Sequence, residues 1–157
     1  MTQLNYINKP VFDHGAIKQI SEVLGQIGIK KPLICTDPGL VELGMVNQLR
    51  NLISNEFTPI IFDKTPANPT QEAVEKALKI YLTEGCDGII GFGGGSSIDL
   101  GKAVSILATH RGNIVDYSVN EGGLEKISET APLLAIPTTS GTGSDVSSGS
   151  VIIMNDG

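Results

Sequence analysis

Tryptophan is absent, cysteine occurs twice, and aromatic residues make up only 4% of the 157 positions. So few ring faces argue against stacking on nucleic-acid bases. Cations are scarce too. The 11 Lys and Arg stand against 17 Asp and Glu, leaving a net charge of −6 with no basic cluster to meet a phosphate backbone. No nucleic-acid partner is expected. No run of about 18 apolar residues occurs, so no helix spans a membrane and no membrane partner is expected either. The opening Met1-Thr-Gln-Leu-Asn lacks the basic and apolar regions of a secretory leader. Cys35 and Cys86 lie far apart beside apolar or small neighbours, the pattern of buried free thiols in a cytoplasmic protein. What remains is small-molecule chemistry, in a chain long enough for one domain.

Glycine is plentiful, with 19 residues, and the two most informative segments are built on it. They are Gly91-Phe-Gly-Gly-Gly-Ser-Ser-Ile-Asp99 and Ile136-Pro-Thr-Thr-Ser-Gly-Thr-Gly-Ser-Asp145. Each follows a short apolar run of strand type, at 88–92 and 133–136, and the first runs directly into a helical pattern. A strand, a turn without side chains and a helix start leave backbone N–H groups unpaired and pointing outward. Such donors, with the helix dipole behind them, suit a phosphate. Two common phosphate loops are excluded by counting. The Rossmann pattern G-x-G-x-x-G fails because Ser96 and Ile98 stand where glycine is needed. The Walker A pattern fails because Ala103 follows Lys102 in place of a hydroxyl.

The physics survives these mismatches. Gly93, Gly94 and Gly95 permit close backbone approach to an anion. Ser96 is expected to cap the helix, and Asp99 to complete a capping-box-like pair. An aspartate repels phosphate, so Asp99 turns toward backbone donors or ribose, and Lys102, one turn on, offsets the charge. The second segment places Thr138, Thr139, Ser140 and Thr142 within five positions, hydroxyls able to hold a ribose or an amide without adding charge. Asp37, ending an apolar run, is placed either to accept both ribose hydroxyls and repel a 2′-phosphate, or to cap the next helix.

Periodicity alternates along the chain. An extended, Pro-interrupted edge segment is read over 6–12 and a helix over 16–27, stopped by Gly28. Residues 32–36 read as a strand, 40–54 as a helix, 57–62 as a strand and 65–69 as a loop. Thr70 caps a helix through Glu84. A strand over 87–92, a helix over 96–110 and a looser stretch over 111–130 follow, with a surface loop at 120–123. Strands at 133–136 and 146–154 complete the order. Strands alternating with helices of this length predict an α/β fold: a Rossmann-like, mostly parallel sheet with helices on both faces. Residues 1–157 form one dinucleotide-binding domain in this reading. Asp156-Gly157 carries a hairpin signal with no return strand after it, so the chain is expected to be the front portion of a longer protein.

Taken together, Phe12-Asp-His-Gly15, Asp37, Pro66-Ala-Asn-Pro-Thr70, Gly93-Gly-Gly-Ser-Ser-Ile-Asp99 with Lys102-Ala103, and Pro137-Thr-Thr-Ser-Gly-Thr-Gly-Ser144 resemble the iron-containing (group III) alcohol dehydrogenase family. The order and spacing match over essentially the whole chain. The resemblance implies that Gly94, Gly95 and Ser96 hold the pyrophosphate of NAD and that Asp37 meets the adenosine ribose. Asn68, Asp99, Thr138, Thr139, Thr142 and Ser147 then line the rest of the groove. Asp145 stands where the family usually has Glu, and Ser147 where it has Thr.

The same resemblance implies hydride transfer between a small alcohol or aldehyde and NAD, helped by a divalent iron or zinc ion. The family's metal ligands, an Asp and three His on a second, helical domain, have no counterpart here. His14 and His110 lack ligand spacing and are expected to be structural or solvent-facing, so this chain is assigned no catalytic or metal-binding residue, and alone it is expected to be inactive. An edge strand near the N-terminus leaves room for a homo-oligomer. The competing readings are a dehydroquinate synthase or glycerol dehydrogenase-like relative and a non-catalytic nucleotide-binding fragment.

Overall fold

Leu33 and Cys35 turn to one side of the sheet and Ile34 to the other, as the period of two requires of a strand covered on both faces. This is a computed structural model, and it describes residues 9–155. Among the described residues, β1 (Pro32–Cys35), β2 (Ile60–Phe62), β3 (Gly88–Gly93) and β4 (Leu133–Pro137) make one sheet in the order β2-β1-β3-β4. All of its pairings are parallel. Helices α1 (Ile20–Gln26), α2 (Pro38–Glu42) and α3 (Met45–Leu52) cover one face, and α4 (Gln71–Glu84) and α5 (Gly95–Thr109) the other. The expected Rossmann-like α/β architecture is what forms.

The two apolar layers are made by these faces. Ile20, Leu24, Ile34, Val46, Leu49 and Ile90 pack on the first side; Leu33, Val74, Ile89, Leu100 and Val104 pack on the second. Each fully buried Leu or Ile contributes roughly 1.5–3 kcal/mol relative to exposure. Helix α5 sits unusually close to the sheet. A Cβ on Gly101 would meet Ile89 Cγ2 at 3.2 Å, and one on Gly91 would meet Ile98 Cα at 3.0 Å. Small residues on both partners set that spacing, and it aims the start of α5 at the carboxyl end of β3.

Several boundaries differ from the sequence reading. The segment 16–27 begins as a 3-10 turn, Ala16–Gln19, before α1. The helix expected over 40–54 is two: Gly44, at φ +71, turns the chain between α2 and α3. Thr70 does cap α4, accepting from the Ala73 amide at 3.3 Å, and Gly85 ends it in the left-handed conformation. The strand expected over 146–154 does not form. Only an isolated parallel bridge, Thr70 to Ile153, ties that segment to the loop before α4. Of the edge segment read over 6–12, the described residues 9–12 form no strand. Residues 6–8 and the Asp156-Gly157 hairpin signal lie outside the described residues.

The surface loop expected at 120–123 is partly built in. Gly123 is buried, and a Cβ there would fall 2.1 Å from the Tyr117 carbonyl carbon. The strand order, finally, reverses direction between β1 and β3. The chain steps outward from β1 to β2, then returns across β1 to β3 and β4. At such a switch point the loops leaving the two central strands diverge and open a crevice at their carboxyl ends. Asp37 follows one of those strands and Gly94 the other.

Candidate cofactor-binding site

The crevice is floored by the beginning of α5. Its N-cap is Gly94, with no side-chain cap and no acidic residue in the first turn. The first helical bond runs from the Ile98 amide to the Gly94 carbonyl at 3.3 Å. The amides of Gly95, Ser96 and Ser97 therefore open the helix without intrahelical acceptors, and the positive end of its dipole faces the crevice. Ser96 is not the cap that the sequence suggested. Its hydroxyl instead donates to the Ala67 carbonyl, tying the glycine loop to the loop that carries the exposed Asn68.

Gly93 shapes the entry. It adopts φ +150, which side chains rarely take, and a Cβ there would stand 2.6 Å from Ser97 Oγ and 3.3 Å from Asp37 Oδ2. The Asp37 carboxylate thus faces the end of β3 with one oxygen. The other accepts from the Leu40 amide at 3.1 Å, capping α2. Of the two readings of Asp37, the cap is formed; it fixes the carboxylate, and the second oxygen stands at the carboxyl end of β3.

The hydroxyl segment closes the other wall. Gly93 pairs with Pro137 in the sheet register, and the Thr138 amide donates to the Gly93 carbonyl at 2.9 Å. This bond carries the chain directly over the glycine loop. Thr139 Oγ1 comes 3.5 Å from the position of a Cβ on Gly94, and Thr142 Cβ comes 3.3 Å from that on Gly95. Ser144 Oγ is closer still, at 2.9 Å from the Gly95 position, and Ser144 is buried. Ser144 and Ser97 are residues the sequence reading did not single out. Both stand in the quoted motifs, but nothing local distinguishes them from the other hydroxyl residues there.

Two more of the expected groove residues, Asp99 and Ser147, bond to the segment that follows the hydroxyl loop. Asp99, buried, accepts from the Val151 amide through Oδ2 at 3.0 Å and stands 3.9 Å from Lys102 Nζ through Oδ1. It makes no capping-box bond with Ser96, because α5 begins before Ser96 and Asp99 lies a turn inside it. Ser147 Oγ accepts from Lys102 Nζ at 3.0 Å and donates to the Gly149 carbonyl at 3.2 Å. Lys102 Nζ also donates to the Ser147 and Gly149 carbonyls, so three acceptors of that segment surround it. Burial pulls its pKa down, while the Asp99 and Asp145 carboxylates push it up.

The two histidines are not brought together. His14 is exposed in the turn before α1. His110 is held at 2.9 Å by both the Ile106 carbonyl, at Nδ1, and the Ser128 amide, at Nε2. Among the described residues, no three His, Cys, Asp or Glu side chains group closely enough to hold a metal ion.

The signature of the family described as iron-containing alcohol dehydrogenase matches residues 8–157. A 4-hydroxybutyrate dehydrogenase of Cupriavidus necator is 43% identical over all of this chain, which spans 41% of that relative. An NAD-dependent methanol dehydrogenase of Bacillus methanolicus is 35% identical over 90% of the chain, spanning 37% of that protein. A crystal structure of 1,3-propanediol oxidoreductase superposes with a TM-score of 0.80 at 31% identity, over 90% of this chain and 36% of its own. The chain therefore covers well under half the length of these relatives, and it shares its α/β architecture with the superposed structure. By motif, geometry and likeness together, it belongs to the iron-containing alcohol dehydrogenase family.

Proposed function

We propose that this chain is the NAD-binding part of a metal-dependent alcohol dehydrogenase, which moves a hydride between a small alcohol or aldehyde and the nicotinamide. Residues 1–157 are read as its dinucleotide-binding domain, working in the cytoplasm. The observation that carries this reading is the pairing of the uncapped α5 start with the Asp37 Oδ2 carboxylate across Gly93, at the sheet's switch point. A diphosphate is matched by the Gly95, Ser96 and Ser97 amides and the helix dipole. A ribose with free hydroxyls is matched by a carboxylate at the end of β1, and a 2′-phosphate is repelled by it. The residues fit the cofactor because the space is made by absent side chains at Gly93, Gly94 and Gly95.

Each residue then has a task. Gly94, Gly95 and Ser96 seat the pyrophosphate; Asp37 holds the adenosine ribose. Asn68 lies at the rim, and Thr138, Thr139 and Thr142 offer uncharged hydrogen bonds toward the nicotinamide half. Asp99 and Ser147 serve the groove from behind, through the segment they anchor. When bound, NAD supplies the hydride acceptor, while the protein contributes orientation and exclusion of water. The metal that polarises the alcohol oxygen in this family would be held by residues other than those described here. This chain alone is accordingly proposed to turn over no alcohol.

Calorimetric titration of the full-length protein with NAD and NADP tests the reading. Saturable NAD binding, with NADP at least about tenfold weaker from charge repulsion at Asp37, is expected. Absence of NAD binding, or a preference for NADP, would overturn it.

A further inference from the structure

Lys102 is the half-buried cation of α5, and each of its three ammonium hydrogens has an acceptor. They go to the Ser147 carbonyl at 2.8 Å, Ser147 Oγ at 3.0 Å and the Gly149 carbonyl at 2.7 Å. One turn earlier, Asp99 takes the Val151 amide at 3.0 Å. The segment they hold, 147–151, has no helix or strand of its own. It continues directly from the hydroxyl loop over the glycine turn, and it ends at the Thr70–Ile153 bridge.

Asp99 and Lys102 are themselves held together. They stand 3.9 Å apart with side chains 11% and 14% exposed, so the pair is poorly screened by solvent. Charge-assisted bonds in such a setting are worth more than surface contacts. We infer that Lys102 is a positioning residue for the cofactor site: with Asp99 it latches segment 147–151 onto α5, and so fixes where the Thr138–Thr142 hydroxyls lie above the glycine turn. This inference rests on the cofactor reading, but the latch has a readout of its own.

The geometry separates this role from a direct one. An ammonium with three protein acceptors has no donor left for a phosphate, so Lys102 acts through the chain it holds. Release of the latch leaves the Ser147 and Gly149 carbonyls without their partner and Asp99 without its counter-charge. The segment can then lift, taking the hydroxyl loop with it, while β3, α5 and the sheet keep their own ladder and core.

The test uses the full-length protein with Lys102→Met, which keeps the stem and removes charge and donors, and Lys102→Arg, which restores both. Two readouts are needed: amide hydrogen exchange without cofactor, and NAD affinity by calorimetry. Lys102→Met is expected to speed exchange at least about tenfold over 147–151 and leave β1 and β3 slow, since a charge-assisted set of bonds is lost. It should also weaken NAD by a similar factor, raising KM for NAD more than it lowers kcat, with partial recovery in Lys102→Arg. Exchange that is unchanged, or faster evenly across the sheet, overturns the latch. Faster exchange confined to the segment with NAD affinity intact overturns the positioning role. If the wild-type protein binds no NAD, the cofactor reading falls instead, and the exchange pattern by itself decides whether the latch exists.

Discussion

Ser144 Oγ stands 2.9 Å from the position that a Cβ would take on Gly95, with Thr142 Cβ at 3.3 Å from the same point. The second wall of the crevice is thus built against the absence of a side chain on the first. Gly95→Ala is expected to push the 142–144 turn outward, at an overpacking cost of roughly 1–3 kcal/mol. Gly93→Ala should cost more, because φ +150 adds backbone strain to a 2.6 Å approach to Ser97 Oγ. Urea denaturation alongside NAD titration checks both: each variant should lose NAD affinity, and Gly93→Ala should show the larger drop in midpoint. An Ala at Gly95 that binds NAD as wild type does would contradict the site.

Asp37 does two jobs that one substitution can separate. Ser is as good an N-cap as Asp, whereas Ala loses about 1 kcal/mol at such a position. Asp37→Ser should keep stability close to wild type, and Asp37→Ala should lower it by that amount. Both should weaken NAD and narrow the gap between NAD and NADP, since the repelling carboxylate is gone. A variant Asp37→Ser with unchanged cofactor preference would mean the carboxylate serves the cap alone.

His110 joins the end of α5 to the loop before β4. The Ser128 backbone amide donates to Nε2 at 2.9 Å, so that nitrogen accepts and the proton sits on Nδ1, within 2.9 Å of the Ile106 carbonyl. Tyr117 packs edge-on against the ring at 5.4 Å between centroids. His110→Phe keeps an aromatic ring and loses the hydrogen bonds at both ring nitrogens, which should destabilise the fold by about 1–3 kcal/mol through the groups left unpaired. Thermal unfolding reads this loss, and NAD affinity should not move, because the ring lies at the opposite end of α5 from the glycine turn.

The thiols set an alkaline limit. Burial is the main cause that raises the pKa of Cys35, and it raises Cys86 from 9.0 to about 11. In the unfolded chain both would ionise sooner, so the fold favours the neutral thiols. Their contribution is fully present below the unfolded pKa and is lost as pH climbs through the folded one. For Cys86 that window runs from 9.0 to about 11. Stability measured by urea midpoint should therefore fall across this window, and Cys86→Ala should flatten the fall. Ready labelling of Cys35 by a thiol reagent at neutral pH would contradict its complete burial.

How much of this could be read from the chain varies by element. Thr70 announced the start of α4 and Gly28 the end of α1 because a cap and a stop act over three or four residues. Gly44 gave no such notice. A single glycine inside helical periodicity is tolerable, and only its φ of +71 shows that the chain turns there. The 150–154 run has the apolar, β-branched composition of a strand, but a strand exists only by pairing. Here its described pairing is the one bridge at Ile153.

The α/β alternation, the two glycine and hydroxyl segments and the carboxylate after β1 were legible along the chain alone. These follow from side-chain period, missing Cβ atoms and local caps, all of which operate between near neighbours. Packing in three dimensions was needed to show that Ser96 reaches Ala67, that Ser144 roofs Gly95, and that Lys102 and Asp99 hold segment 147–151. Those last contacts join positions 45 to 52 residues apart. No local rule selects a partner at that distance: it is chosen by which elements the packed sheet brings side by side.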